Sequence, residues 1–311
     1  MRAENTPWHA VTGYGGHIKA TANDLIIVQG GDTRHHPLAG VRHLLVVGGH
    51  TLHTSAVINL LKGGSAISFF DIDGTPVGFL YPYGYRAHEE VQNAQYQAAP
   101  HRYATAVAVS ALRSRLLFVE RACEEMDRDV LYEGELVLLH QMRDELQELI
   151  TMDELRRLHR LSSDMYYEIL ARLIPPGFGY RRRTSRPHQD PINAMLSLGY
   201  AILYGACCVA IVGAHLDPDC GFLQEGEGGL VHDLIEPLKA EMVDGAVVAL
   251  ALEGIPAGEY ELSAARCYLS EDLTNHLIGA LRASIDQKRV DAQVVLLQEA
   301  LVQNREFQML Y

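Results

Sequence analysis

Apolar and polar positions alternate differently in the two parts of this chain. Up to about residue 83, apolar residues come in short runs broken by glycine, which is a strand signature. Residues 18–21 and 25–29 are short candidates, punctuated by Gly15-Gly16 and Gly30-Gly31. Residues 44–47 are continuously apolar and bounded by Gly48-Gly49, the length and composition of a buried strand. Residues 54–61 read as a short helix closed by Gly63-Gly64. A strand at 66–71, a turn at Asp73-Gly74 and a return at 77–80 make a hairpin. Beyond residue 100 the spacing becomes helical. Residues 103–127 carry Val107, Leu112, Leu116, Leu117 and Val119. Residues 132–150 carry Leu136, Leu139, Met142, Leu146 and Leu149, and residues 153–174 carry Leu155, Leu158, Leu161, Met165, Ile169 and Leu173. Further helices are predicted at 271–285 and 290–301. The fold class is therefore α+β: a small β-rich N-terminal domain (1–85), a polar linker (86–100) and a larger all-helical C-terminal domain (101–311).

Within the helical part, residues 180–236 concentrate the chemistry. Arg181, Arg182, Arg183 and Arg186 open the stretch, and Asp190-Pro191 follows. Aspartate is a good N-cap, and proline at the first helical position sacrifices no hydrogen bond. The run that follows is almost wholly apolar, which predicts a helix buried on most sides. Asn193, Ser197 and Gly199 near its start argue against a membrane span. A second helix carries Asp233 and Glu236, three apart and so on one face. Guanidinium groups, a buried helix and a carboxylate pair in one span point to a metal or phosphodiester site.

Composition narrows this reading. The 311 residues, 48% of them hydrophobic, suffice for a sizeable core. A formal net charge of −13 excludes a generally basic nucleic-acid binder, so any DNA-binding face is local. The arginines, with Arg156, Arg157 and Arg160 upstream, are the candidates, because guanidinium pairs bidentately with phosphate. Five cysteines without CxxC spacing predict reduced, mostly buried thiols in a cytoplasmic protein, and the N-terminus shows no secretion signal. Asp71 and Asp73 read first as turn residues, and His50 and His53 as surface or loop histidines rather than a shared metal site.

Three linked motifs carry a resemblance. Arg-x-x-Arg-Pro-x-x-Asp-Pro-Ile-Asn-Ala-x-Leu-Ser-x-Gly-Tyr begins at Arg183. Leu-Asp-Pro-x-x-Gly-Phe-Leu begins at Leu216, and Asp-Leu-Ile-Glu-Pro begins at Asp233. In that order they resemble the CRISPR-associated Cas-one (Cas1) family, the DNA integrase and endonuclease of spacer acquisition. The N-terminal pattern resembles that family's dimerisation domain. The resemblance implies a homodimer, double-stranded DNA (ends or forks) as ligand, a Cas-two (Cas2) dimer as bridging partner, and no membrane. Where active, it implies Mg²⁺ or Mn²⁺ and attack of a 3′-hydroxyl or of water on a phosphodiester.

The family's metal site takes a Glu, a His and an Asp. Asp233 matches the Asp and Glu236 the acidic residue after it. The His position falls on Gln224. The Glu position, counted back from Tyr166-Tyr167, falls on His159, and an offset in that count brings Glu154 or Glu168 there instead. His215 and His232 stand where the family has a glycine and an apolar residue, either as compensating ligands or as structural histidines. A His-for-Glu exchange removes a negative charge, and glutamine offers only a neutral oxygen, so the set suits Mg²⁺ poorly. Two functions follow as expectations. One is a DNA-binding adaptation protein whose metal-dependent activity is weakened or lost, with no cofactor. The other is an active endonuclease or integrase with an altered ligand set, so enzyme status stays open.

Overall fold

The computed structural model describes residues 6–125, 130–148, 151–263 and 265–309. Six strands form one sheet in the order β3-β2-β1-β4-β5-β6. These are β1 (Trp8–Ala20), β2 (Asp24–Gln29), β3 (Asp32–Pro37), β4 (His43–Leu52), β5 (Ala66–Phe70) and β6 (Pro76–Leu80). β1, β4 and β5 run parallel in the centre, and β2, β3 and β6 are antiparallel additions at the edges. Helix α1 (Thr54–Lys62) joins β4 to β5. The continuous apolar run in β4 follows from burial on both faces, as parallel strands require. Leu44 and Val46 join Val11, Ile18, Leu25, Leu60 and Ile67 in a core on one side. Leu45 and Val47 face the other way, with Trp8 and Phe70, into the main core of the helical part.

β1 starts ten residues earlier than the pattern predicts, and β3 is absent from that pattern. β3 reads Asp-Thr-Arg-His-His-Pro and is exposed along nearly its whole length, so no apolar alternation marks it. Its backbone pairing with β2 alone makes it a strand.

Ten helices are described. After α1 come α2 (Ala87–Gln97), α3 (Pro100–Glu125), α4 (Glu135–Glu145) and α5 (Met152–Leu173). The C-terminal set is α6 (Pro191–Gly213), α7 (Gly229–Ile235), α8 (Gly245–Glu253), α9 (Glu271–Ser284) and α10 (Gln287–Val302). The segment expected as a polar linker is helix α2. Its Gln95 is buried, donates to the carbonyls of Asp217 and Cys220, and accepts from Asp217 N–H. Its polarity therefore serves an internal bond to a distant loop. α4 is shorter than its 132–150 pattern because Gly134, at φ 85°, sets its start. Leu149 and Ile150, and the predicted end of the preceding helix at 126–127, lie outside the described residues. The helical part also holds a hairpin, β7 (Tyr260–Leu262) with β8 (Cys267–Leu269).

Helix α6 is the spine of the molecule. Asp190 caps it, accepting from Asn193 N–H at 2.7 Å, with Pro191 at the first helical position. It is long and apolar enough to cross a membrane by composition, but most of it is buried inside the fold. At Gly205 its backbone meets the β5–β6 turn. A Cβ there would lie 1.8 Å from the Asp73 carbonyl oxygen, so only glycine permits the approach.

Candidate functional site

An open cavity of about 560 Å³ lies where α3, α5, α6, the loop at 223–225 and the end of α7 converge. Arg115 reaches it from α3. Arg156, His159, Arg160, Ser163 and Tyr167 come from α5, and Tyr200 comes from α6. Gln224, Glu225, Glu236, Lys239 and Arg183 complete the wall. Of the residues singled out at metal positions, His159, Gln224 and Glu236 share this cavity. Asp233 does not line it.

Asp233 is fully buried and holds a loop. Its Oδ2 accepts N–H bonds from Phe222 and Leu223 at 2.6 and 3.0 Å, and its Oδ1 accepts from Gln224 at 2.9 Å. Burial pushes the carboxyl up to about 7 against those three donors, with Glu236 adding to the rise. Although three apart, Asp233 and Glu236 do not act as a pair: α7 ends at Ile235, and the two carboxylates serve different neighbours. Asp233 shapes the turn that presents Gln224, and Glu236 faces the cavity.

Glu236 sits among cations. Its Oε2 accepts from Arg115 Nη2 at 2.6 Å, and its Oε1 bonds the ammonium of Lys239. Burial opposes its ionisation, but Lys239 and Arg115 outweigh it and hold the carboxyl well below the usual range. Arg115 also donates to Ser163 Oγ at 2.7 Å, and that hydroxyl donates to the His159 carbonyl. His159 Nε2 is 3.8 Å from Glu236 Oε2. Burial pushes the imidazole down to about 4; Glu236 pulls the other way, and Arg115 and Lys239 add to the fall. His159 is thus neutral at physiological pH.

A polar floor lies beneath. Tyr166 and Tyr200 donate to opposite oxygens of buried Asp244 at 2.7 and 2.5 Å, and Tyr167 and Tyr200 hydroxyls meet at 3.0 Å. Burial raises Asp244 to about 6 against the Tyr200 and Tyr166 hydroxyls. Lys239 and Arg183 lie over the Tyr200 ring at 5.0 and 5.3 Å, the geometry of cation–π contact.

The arginine cluster divides. Arg183 turns inward, donating to Asn193 Oδ1 at 2.7 Å and Ser197 Oγ at 2.5 Å. His188 also bonds Ser197, and Asn193 links back to Asp190 and to the Arg182 carbonyl. The Arg183–Ser197 motif is therefore a knot that ties the approach loop to the start of α6. Arg181, Arg182 and Arg186 remain exposed. Arg186 lines a second cavity of about 400 Å³, and Arg183, Tyr200 and Lys239 form the wall it shares with the first. Arg182 lines a third recess with Asp164 and Glu168.

The other candidates have local roles. Glu154 closes a capping box with Thr151 at the start of α5. His50 and His53 bond separate backbone groups, Gly16 and Ser55, and Asp73 accepts from Thr75 N–H within its turn. His215 stacks on His43 and bonds the Tyr85 hydroxyl, away from the cavity. His232 packs on Tyr204 and lines the second cavity. The cysteines described are unpaired. Arg115, Lys239, Tyr200 and Asp244 escaped sequence reasoning. Arg115 was detectable, as a charge in phase with buried Val107, Ala111 and Val119 of α3. Lys239 was also detectable, three residues after Glu236.

Comparison with known proteins agrees with this architecture. A profile of the family described as CRISPR associated protein Cas1 matches residues 10–283. A CRISPR-associated Cas1 protein of Methanospirillum hungatei JF-1 is 39% identical over 296 residues, covering 95% of this chain and 98% of that protein. Among solved structures, a casposase bound to integration product superposes with a TM-score of 0.82 at 17% identity, over 96% of both chains. A chain of a partial Cas6-RT-Cas1–Cas2 complex gives 0.81 at 18% identity, over 99% of both. At those identities the two likenesses concern the fold.

Proposed function

The chain belongs to the CRISPR-associated Cas1 family, and from that premise we propose that it acts in CRISPR adaptation as a DNA-binding subunit. In this reading its metal-dependent nuclease or integrase chemistry is weakened or lost. The observation that carries the proposal is the state of Glu236. It is one of two carboxylates in the cavity wall, and its two oxygens are engaged by Arg115 and Lys239. The other, Glu225, pairs with Arg156 at 2.6 Å. Exposed Arg181, Arg182 and Arg186 beside this cationic cavity supply phosphate contacts. Residues 1–85 act as the dimerisation unit, and a Cas2 dimer is the bridging partner.

A second reading keeps the enzyme. The convergence of His159, Gln224 and Glu236 on one cavity supports an active endonuclease or integrase with an altered ligand set. Strand-transfer and nuclease assays with Mg²⁺ and Mn²⁺ separate the two readings. The variants are Glu236→Ala and the double change His159→Glu with Gln224→His. The first reading expects a silent wild type that still binds duplex DNA. Replacing Arg181, Arg182 and Arg186 by Gln then lowers the salt slope of binding by roughly 2 to 3. Wild-type turnover abolished by Glu236→Ala would establish the second reading instead.

A further inference from the structure

The residues at the metal-ligand positions do not suit Mg²⁺ or Mn²⁺. Those ions demand several anionic oxygens. Here Glu236 has both oxygens in ion pairs, Asp233 has both on backbone N–H groups, His159 is an imidazole and Gln224 a neutral amide. Among the described residues no three His, Cys, Asp or Glu side chains converge to hold a metal. The electrostatics point the other way: five cationic side chains and two carboxylates line the cavity. Arg160 has no ion pair or side-chain hydrogen bond among the described residues and stands exposed at the rim. Two buried nitrogens of the wall, the donor Arg115 Nε and the imidazole Nδ1 of His159, have no partner there either. A wall rich in donors, with its carboxylates already neutralised, fits an acceptor-only anion.

We propose that Lys239 is the resident cation of this cavity, and that the cavity binds a phosphate group of DNA directly, through Arg160, Arg183 and Lys239, without a metal. The identification of the phosphate as DNA rests on the function proposed above. The phosphate binding itself does not. Lys239 reaches the anion from the Tyr200 face while its charge stays balanced by Glu236. Arg183 is held in place by Asn193 and Ser197, so one of its faces is pre-organised.

Three titrations of the full chain test this. Pyrophosphate is titrated by calorimetry in EDTA, Mn²⁺ by electron paramagnetic resonance, and a 5′-phosphorylated duplex by fluorescence anisotropy in EDTA. Pyrophosphate is expected to bind without metal, with Lys239→Gln and Arg160→Gln each weakening it about tenfold and Lys239→Arg retaining it. Mn²⁺ is expected to stay free with the wild type and to gain affinity with Lys239→Gln, which releases one oxygen of Glu236. Stoichiometric Mn²⁺ binding to the wild type that Glu236→Gln abolishes would overturn the proposal. So would pyrophosphate binding that requires Mn²⁺ or ignores both substitutions. Arg160→Gln keeps the test valid if Lys239→Gln does not fold. Pyrophosphate binding as expected, with no duplex binding, would uphold the cavity assignment and refute the DNA function.

Discussion

Replacing Asp233 separates two roles that look identical in sequence. A metal ligand can be removed with little effect on folding, because a carboxylate in a cavity is relieved of repulsion when it goes. Asp233 instead accepts three backbone N–H bonds with no solvent access. Asp233→Ala leaves three backbone donors without an acceptor, those of buried Phe222 and Leu223 and of half-buried Gln224, each worth roughly 1–3 kcal/mol. Even the lower bound sums to about 3 kcal/mol. For a chain of this size 1 kcal/mol shifts Tm by about 2 °C, so the expected fall is about 6 °C or more. Asp233→Asn keeps one acceptor oxygen but turns an N–H₂ toward donors that need an acceptor, so it falls between the two. Differential scanning calorimetry in EDTA and in Mn²⁺ provides the measurement, and the drop should be the same in both. A variant that melts within about 1 °C of wild type in EDTA would refute the reasoning and return Asp233 to the ligand role.

Two further outcomes follow from packing and burial. Gly205→Ala places a methyl on the Asp73 carbonyl, and overpacking of this kind costs about 1–3 kcal/mol, with chemical denaturation as the readout. Buried His43 and His215 each add an acid-sensitive contribution to stability. Burial, with His215 beside it, depresses His43 to about 3, against the Gly213 carbonyl; burial, with His88, depresses His215 to about 4. At these two sites the unfolded chain binds more protons below about pH 6.5, so their contribution to stability is complete above that pH and is lost as pH falls toward 4. The slope is about 1.4 kcal/mol per pH unit for each histidine, and His43→Gln should remove one of the two contributions in a urea series across that range.

Much of the framework was legible because period and punctuation agree in it. The glycine-bounded run of β4, the Asp190–Pro191 start of α6 and the stripe of α5 each satisfy local and global demands together. What escaped depends on contacts remote in sequence. β3 has no apolar face and exists through pairing, and α2 looks like a linker because Gln95 spends its polarity on a loop more than 120 residues away. Helical spacing places Asp233 and Glu236 on one face, but it cannot say that the loop at 222–224 folds back over one of them. The arginine motif was legible as a cluster, whereas its division into a half-buried hub at Arg183 and an exposed rim arises from Asn193 and Ser197. The ion pair of Glu236 with Arg115 was hidden for the same reason, since Arg115 lies 121 residues away along the chain.

Helix α6 runs from the cationic cavity to the sheet. Its first turns hold Arg183 through Asn193 and Ser197 and carry Tyr200 into the cavity wall. Its middle bears on the β5–β6 turn at Gly205, and its last turn packs on Trp8 and Leu45 at Gly213. At 1.5 Å per residue those stations span about 30 Å of one uninterrupted rod. The sheet and the cationic cavity are thus fixed to the same beam, with no hinge along it. A partner that grips the sheet aims the cavity in the same act, and the alignment of two copies joined through their sheets would set the separation and angle of the two phosphate-binding walls.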